Sequence, residues 1–171
     1  NNRYIYSRPV NTISPPRLRP GGRGISTSGH YALAADEALV ITADPLGAVS
    51  LGVQLADPWG VSYDYDSRSA SLNNLQAASN KEGTITFVIS ARDPGYANWL
   101  DGGGFASGIV VLRWQGLPGN VDQSRGFRKV EVIKLSNLAR SLPEGMSRVT
   151  PKERNSMRAA RSRAYAVRLG D

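Results

Sequence analysis

The sequence predicts an all-β domain, an antiparallel sandwich or barrel, that is followed by an amphipathic C-terminal helix. Short apolar or alternating stretches recur between residues 37 and 135, with turn residues between them and no long helical repeat. Strands that follow each other through turns pair antiparallel, whereas a parallel sheet needs helical crossovers. A helix-capping motif near residue 150 then opens a segment with helical periodicity.

The strands are recognised by a period of two and by the turns that end them. In the clearest one, residues 48–55, apolar side chains alternate with small or polar ones, as expected of a strand with one buried face. Asp57-Pro58 ends this strand. The full set of predicted strands is 38–42, 48–55, 60–65, 84–90, 108–115 and 129–135.

Two helical pieces close the chain. Ser136 is predicted to cap a short helix that Pro143 ends, and the capping box Thr150-Pro151-Lys152-Glu153 begins a helix that runs to about residue 168. One face of this helix carries Met157, Ala160, Ala164 and Val167, and the other carries Arg154, Arg158, Arg161 and Arg168. Because the apolar face is mostly alanine, we expect packing on the sandwich or on a neighbouring subunit rather than membrane insertion.

The order of these elements divides the chain into three parts. Residues 1–28 are predicted to be an irregular arm rich in arginine, proline and glycine, residues 29–143 the β-sandwich domain, and residues 144–171 a helical segment. The arm buries little by itself. We therefore expect it either to lie on another protein chain or on the rest of a longer polypeptide, or to be a disordered tail.

The residue types that are missing exclude several kinds of chemistry. The 171 residues contain no cysteine, which excludes disulfides, thiolate zinc sites and a cysteine nucleophile. His30 is the only histidine, which argues against a multi-histidine metal site and a histidine relay. We therefore expect no metal and no cofactor. No run of about 18 apolar residues is present, so no membrane span is expected.

The charge is strongly positive and unevenly distributed. The formal net charge is +7, from 21 Lys and Arg against 14 Asp and Glu, and the arginines concentrate towards both ends of the chain. The aromatic residues lie mainly in the middle. Nucleic-acid surfaces interleave basic and aromatic residues on one face. The sequence therefore disfavours nucleic acid as a partner and favours arginines that are solvated or that lie in an interface.

The middle of the chain resembles a bacterial family. The most specific part is the string Asp93-Pro94-Gly95 followed by Asn98-Trp99-Leu100-Asp101, and Ser71-Leu72-Asn73 and Arg113-Trp114 support it in order and spacing. These residues are similar to the domain of unknown function 1214, often found beside a domain of unknown function 1254. The resemblance covers about residues 37–116.

This resemblance implies a β-sandwich of jelly-roll type, usually the C-terminal part of a larger protein, without a settled activity. The sequence departs from the family at Gly102-Gly103-Gly104-Phe105, where the family pattern has Thr, a small residue, Gly and often His. Chemistry that uses polar side chains at positions 102 and 105 is therefore not expected here.

The loop 93–101 is the candidate site. As a ligand cleft, it would combine the flat faces of Trp59, Trp99 and Trp114 with polar groups from Asn98, Asp101 and Arg113. Such a set suits sugars or a planar apolar ligand. As a purely structural loop, Asn98 and Asp101 would tie down the backbone and Trp99 would plug one end of the sandwich.

Asp93, Asp101 and Arg113 are the candidate catalytic residues. A pair of carboxylates can divide the roles of acid and base, and Arg113 could bind a substrate carboxylate or phosphate. Alternatively, Arg113 forms an internal ion pair with Asp93 or Asp101, which is the interpretation we favour.

Together these features predict a non-catalytic β-sandwich module with a ligand-binding or assembly role, whose arm and terminal helix dock on other chains. The alternative is a hydrolase or lyase that acts on a glycan or a small organic acid through the loop aspartates and Arg113.

Overall fold

The computed structural model describes residues 5–19 and 24–169. It is mostly β, with two sheets and one long C-terminal helix. The described elements are β1 (Thr12–Ile13), β2 (Arg17–Leu18), β3 (Ile25–Ala32), β4 (Glu37–Ala43), β5 (Ser50–Ala56), β6 (Ser71–Asn73), β7 (Ile85–Ser90), β8 (Trp99–Asp101), β9 (Ser107–Gln115), β10 (Phe127–Lys134), α1 (Leu138–Ser141) and α2 (Pro151–Leu169). Short 3-10 turns lie at Ile5–Ser7, Gln123–Gly126 and Leu135–Asn137.

The strands form one sheet of six and one of four. The larger has the order β1-β3-β9-β5-β6, with β2 also paired to β3, and the smaller has the order β10-β4-β7-β8. Neighbouring strands are antiparallel except β7 and β8, which are parallel. The prediction of purely antiparallel sheets is therefore wrong at this pair. Residues 91–98 carry the chain back so that it enters β8 in the direction of β7.

The inner faces of the two sheets share one apolar core. In β5 the alternation predicted from the sequence is confirmed at Leu51, Val53 and Leu55, which are buried. The prediction is wrong at Val49, which precedes the strand and is exposed. β7, in contrast, is buried on both faces. A second apolar cluster covers the outer face of the four-stranded sheet. It includes Leu138 from α1 and Leu142, which directly follows α1. This cover explains why β4 and β7, the two central strands of the smaller sheet, are buried on both faces and are mostly apolar.

The predicted strand 60–65 does not form. The chain makes only an isolated bridge there, between Ala56 and Ser62, and Val61 is exposed. Asp57 causes this difference, because its Oδ1 accepts from the backbone N–H groups of Trp59 and Val61 at 2.9 and 2.8 Å. A side chain that bonds the following backbone favours a turn over a strand.

The predicted arm belongs in part to the six-stranded sheet. β3 pairs with β9 along its whole length, so the boundary drawn at residue 28 falls inside a central strand. The strand was missed because its buried positions include Thr27 and Gly29, which leave only Ile25 and Tyr31 as apolar markers. Within residues 5–19 of the predicted arm, β1 and β2 also pair with β3. Residues 1–4 and 20–23 lie outside the described residues.

α2 begins with the predicted capping box. Glu153 Oε2 accepts from the backbone N–H and the hydroxyl of Thr150 at 2.7 and 2.8 Å, and the Glu153 N–H donates back to Thr150 Oγ1 at 3.3 Å. The short helix α1 begins at Leu138 without a side-chain cap, and Ser136 lies in the preceding 3-10 turn. No helix in the described ranges is long and apolar enough to cross a membrane.

The start of α2 should depend on pH. The hydrogen bond from the Thr150 N–H holds the pKa of Glu153 below its ordinary value of 4.5. Its stabilising contribution is therefore complete above pH 4.5 and is lost as the pH falls through the lowered pKa. Cα chemical shifts of residues 150–153, followed during acidification, should lose helical character there. In Glu153→Gln this step should be absent, and an unchanged step would contradict the assignment.

Gly29 allows β1 to approach β3. A Cβ at this position would lie 2.1 Å from the carbonyl oxygen of Thr12, so Gly29→Ala should force β1 to shift and lower the free energy of unfolding by about 1–3 kcal/mol. Urea denaturation measures this change. Gly119→Ala is the control, because no atom lies within 4 Å of its Cβ. Equal stability of the two variants would contradict the packing of β1.

Candidate functional site

The first aspartate of the 93–101 loop is bound by helix α2. Arg154 donates from Nε to Asp93 Oδ2 at 2.8 Å and from Nη2 to Oδ1 at 3.1 Å, and also to the carbonyl oxygen of Tyr96 at 2.5 Å. Its side chain is only 3% exposed. The guanidinium also lies 5.2 Å from the centre of the Trp99 ring. Asp93 is thus the counter-ion of a buried cation.

The second aspartate, Asp101, is buried and fully engaged. It accepts from Arg158 Nη2 at 3.2 Å, from Arg68 Nη1 at 3.4 Å and from the backbone N–H of Gly103 at 2.9 Å. The expected ion pair between Arg113 and either aspartate does not form. Arg113 lies instead on the outer face of the six-stranded sheet, so the three catalytic candidates are not brought together.

Asn98 and Trp99 are buried parts of the same loop. Asn98 accepts from the N–H of Ala78 at 2.8 Å and donates to the carbonyl oxygens of Ala78 and Thr86 at 2.8 and 3.0 Å. The Trp99 indole N–H donates to the carbonyl oxygen of Ser90 at 3.1 Å. These side chains tie the loop to β7, and they do not present a free surface to a ligand.

The other two tryptophans lie elsewhere. Trp114 points into the core from β9, donates to the carbonyl oxygen of Asp44 at 2.8 Å and has no exposed surface. Trp59 is 82% exposed in the turn after β5. The predicted cleft of Trp59, Asn98, Trp99 and Trp114 is therefore not assembled, because alternation along β9 buries one indole while the Asp57 turn exposes another.

Two further carboxylates, Asp64 and Asp66, lie side by side in the loop after β5. Interaction with Asp64 raises the pKa of Asp66, while the pKa of Asp64 is lowered by Asp66 and by Ser67, whose hydroxyl donates to it at 3.0 Å. Neither carboxylate lines the cleft described below. Within residues 5–19 and 24–169, no group of three His, Asp or Glu side chains could hold a metal ion.

Helix α2 packs through its arginines rather than through its apolar face. Arg154, Arg158 and Arg161 follow each other at helical spacing and contact the β-domain. Met157 and Val167 are 41% and 78% exposed. The helix binds in this orientation because the loops beneath it offer carboxylates and carbonyl oxygens, which a face of alanines could not satisfy.

A cleft separates the second half of α2 from the outer face of the six-stranded sheet. We call it the α2 cleft, and its volume is about 260 Å³. Arg161 anchors its wall by donating to the carbonyl oxygens of Tyr65 and Ser71. Its lining includes Gly52, Gln54, Asn73, Arg113, Arg161, Tyr165 and Arg168.

The α2 cleft is positively charged. Its described lining contains three arginines and no acidic residue. Arg113, Arg161 and Arg168 take part in none of the ion pairs between described residues, and the Arg168 guanidinium lies 5.5 Å from the centre of the Tyr165 ring. Three guanidinium groups that have no carboxylate partner among the described residues make this cleft suited to an anion.

The sequence points to Arg113 but not to the cleft around it. The helical spacing predicts Arg161 and Arg168 on the face opposite the apolar one. The alternation of β9 was the available signal, since it places Arg113 on the face opposite Trp114 and therefore away from the core. The partners of Arg113 across the sheet could not be identified without the strand register.

No protein-family model and no curated protein matches this chain. The solved structure of an uncharacterised protein from Burkholderia cenocepacia is similar, with a TM-score of 0.63 and 33% identity over 74% of this chain and 36% of that one. A protein from Vibrio parahaemolyticus gives a TM-score of 0.47 and 15% identity over 64% and 30% of the two chains. This chain thus spans about a third of the length of either structure, and neither description names a function.

Removing the counter-ion of Arg154 should loosen α2. Asp93→Asn leaves a buried guanidinium without its charge partner, and we expect the free energy of unfolding to fall by about 2–3 kcal/mol. Urea denaturation measures the loss, and hydrogen exchange should show faster exchange in α2. The control Glu131→Gln breaks an exposed ion pair with Lys129 and should cost less than about 1 kcal/mol. Equal losses would contradict the role of Asp93.

Proposed function

We propose that this chain is a non-catalytic binding module whose site is the α2 cleft and whose ligand is anionic. One observation carries the proposal: Arg113, Arg161 and Arg168 converge on a cleft in which no described lining residue is acidic. Arginine presents a planar fork that matches carboxylate, phosphate or sulfate groups. A bound anion would supply the charge partner that these side chains do not find within residues 5–19 and 24–169.

The surroundings of the arginines support binding rather than catalysis. The polar neighbours in the cleft are amides and hydroxyls, such as Gln54, Asn73 and Ser71, which hydrogen-bond a ligand without exchanging protons near neutral pH. The acid–base candidates Asp93 and Asp101 are held by arginines from α2. The geometry therefore does not favour the alternative of a hydrolase or lyase that uses them.

We also propose that the two sheets form a β-sandwich of jelly-roll type and that the chain belongs to the family of the domain of unknown function 1214. A core cluster with side chains from both sheets supports the sandwich. The strings Asp93-Pro94-Gly95 and Asn98-Trp99-Leu100-Asp101 support the family. The assembly role, with docking on other chains, stays a prediction.

An NMR titration of the full 15N-labelled chain tests the anion site. With D-glucuronate, and separately with inorganic phosphate, amide shifts should concentrate in β5, β6, β9 and the second half of α2. Arg113→Gln should weaken binding at least tenfold, because a charge-assisted hydrogen bond contributes about 1.5–3 kcal/mol.

Gly52→Met provides a second, steric test. A Cβ at position 52 would have the carbonyl oxygen of Leu72 as its nearest neighbour, at 4.0 Å, so the longer side chain should fill the cleft without disturbing the strand. Binding should be lost while thermal stability stays unchanged. Arg163→Gln, which removes one exposed charge from α2 outside the cleft, should bind as the unmodified chain does. Shifts spread over all basic surfaces would refute the site.

A further inference from the structure

The α2 cleft continues across the sheet into a second groove. We call this the β2 groove; its volume is about 370 Å³, and it is lined by Arg8, Arg17, Arg19, Ser26, Ser28 and Arg113. Arg113 and Val111 line both cavities. The two therefore meet at the centre of β9, and together they cover the outer face of the six-stranded sheet.

The strand register shows that this path is straight. Arg17 is paired with Ser26, Ser26 with Arg113, Arg113 with Gly52, and Gly52 with Asn73. Residues paired in register project from the same face of a sheet. The row crosses five strands from β2 to β6, so at the usual strand spacing it is about 19 Å long.

Positive charge extends along the whole path. Arg8 donates to the carbonyl oxygen of Ser28 at 3.2 Å, and Arg19 donates to Ser26 Oγ at 3.3 Å, so both are held at the β3 side. Arg113 lies in the middle, and Arg161 and Arg168 lie at the α2 end. No acidic residue is found among the described residues that line either cavity.

Between the arginines the surface offers hydrogen-bonding groups and little aromatic area. Hydroxyls of Ser26 and Ser28 and amides of Gln54 and Asn73 lie along the path, and Tyr165 is the one aromatic side chain in the described lining. Single-stranded nucleic acid needs aromatic platforms for its bases. A polymer rich in hydroxyl groups instead matches amides and hydroxyls at every step.

We infer that the ligand of this module is a linear acidic polysaccharide, with carboxylate or sulfate groups on its repeating units, that lies across the outer face from the α2 cleft to the β2 groove. This inference rests on the proposed anion site and adds the chain length and the sugar character of the ligand. The arginines bind the anionic groups, and the serine and amide side chains between them bind the sugar hydroxyls.

Isothermal titration calorimetry with the full chain tests the inference. Oligogalacturonates of increasing length, from the monosaccharide to the octasaccharide, should bind more tightly with each added unit until the row of arginines is spanned. A matched series of carrageenan oligosaccharides, which carry sulfate but no carboxylate, separates carboxylate from sulfate as the preferred group. The salt dependence of the affinity should also steepen with length, since more charges are then paired.

The double variant Arg17→Gln with Arg19→Gln separates the two cavities. It should weaken the octasaccharide at least tenfold and leave galacturonate monosaccharide binding unchanged, whereas Gly52→Met should abolish binding of both. Arg163→Gln is again the control and should leave both affinities unchanged. Thermal unfolding of each variant checks that the fold is retained. If any anionic sugar is sufficient, each variant should change the affinity by the same factor in both oligosaccharide series.

Three results would overturn the inference, and they are distinguishable from failure of the proposed function. Affinity that is independent of length, with the monosaccharide still bound in the α2 cleft, would refute the extended path but keep the anion site. Equal or tighter binding of a single-stranded oligonucleotide of the same charge would favour nucleic acid. Equal binding of neutral maltooctaose would refute the need for anionic groups. Loss of all monosaccharide binding would instead refute the anion site itself.

Discussion

The position of helix α2 on the β-domain depends on the burial of Arg154. Its guanidinium satisfies Asp93 and the carbonyl oxygen of Tyr96 in an environment from which water is almost excluded. A charge of this kind is costly to bury unless every donor is placed, so the geometry fixes both the loop and the helix. The same face of the helix then continues to Arg161 and Arg168, which form the wall of the cleft.

Strand β9 links the core to the candidate site. Its inward residues, Leu112 and Trp114, are fully buried, while Val111 and Arg113 point outwards between the two cavities. The packing of the inward residues therefore determines the position of Arg113 relative to its neighbours in β3 and β5. Gly52 contributes by lacking a side chain, which leaves open space beside Arg113. A rigid sheet of this kind can present a binding row without a flexible loop.

Much of the fold, but little of the site, could be predicted from the sequence. The alternation in β5 and the capping box at Thr150 depend on neighbouring residues, and both were recognised. β3 could not be recognised, because two of its buried positions hold Thr27 and Gly29 instead of the large apolar residues that reveal a strand with one buried face. The sequence also points to Arg113, but predicts the loop aspartates as its partners. In the structure Arg154 and Arg158 of α2 pair with these aspartates, and the linear sequence does not show which arginine lies nearest to each carboxylate.

The sequence by itself determined local features: the alternation of β5, the capping box that begins α2, and the concentration of arginines towards the two ends. Only the tertiary structure decided that arginines from both ends meet on one sheet face, because strand register and the docking of α2 bring Arg17, Arg113 and Arg161 to the same outer surface. The physical reason is that hydrophobic periodicity specifies which side of a strand is buried, whereas the neighbours of its exposed side depend on long-range pairing.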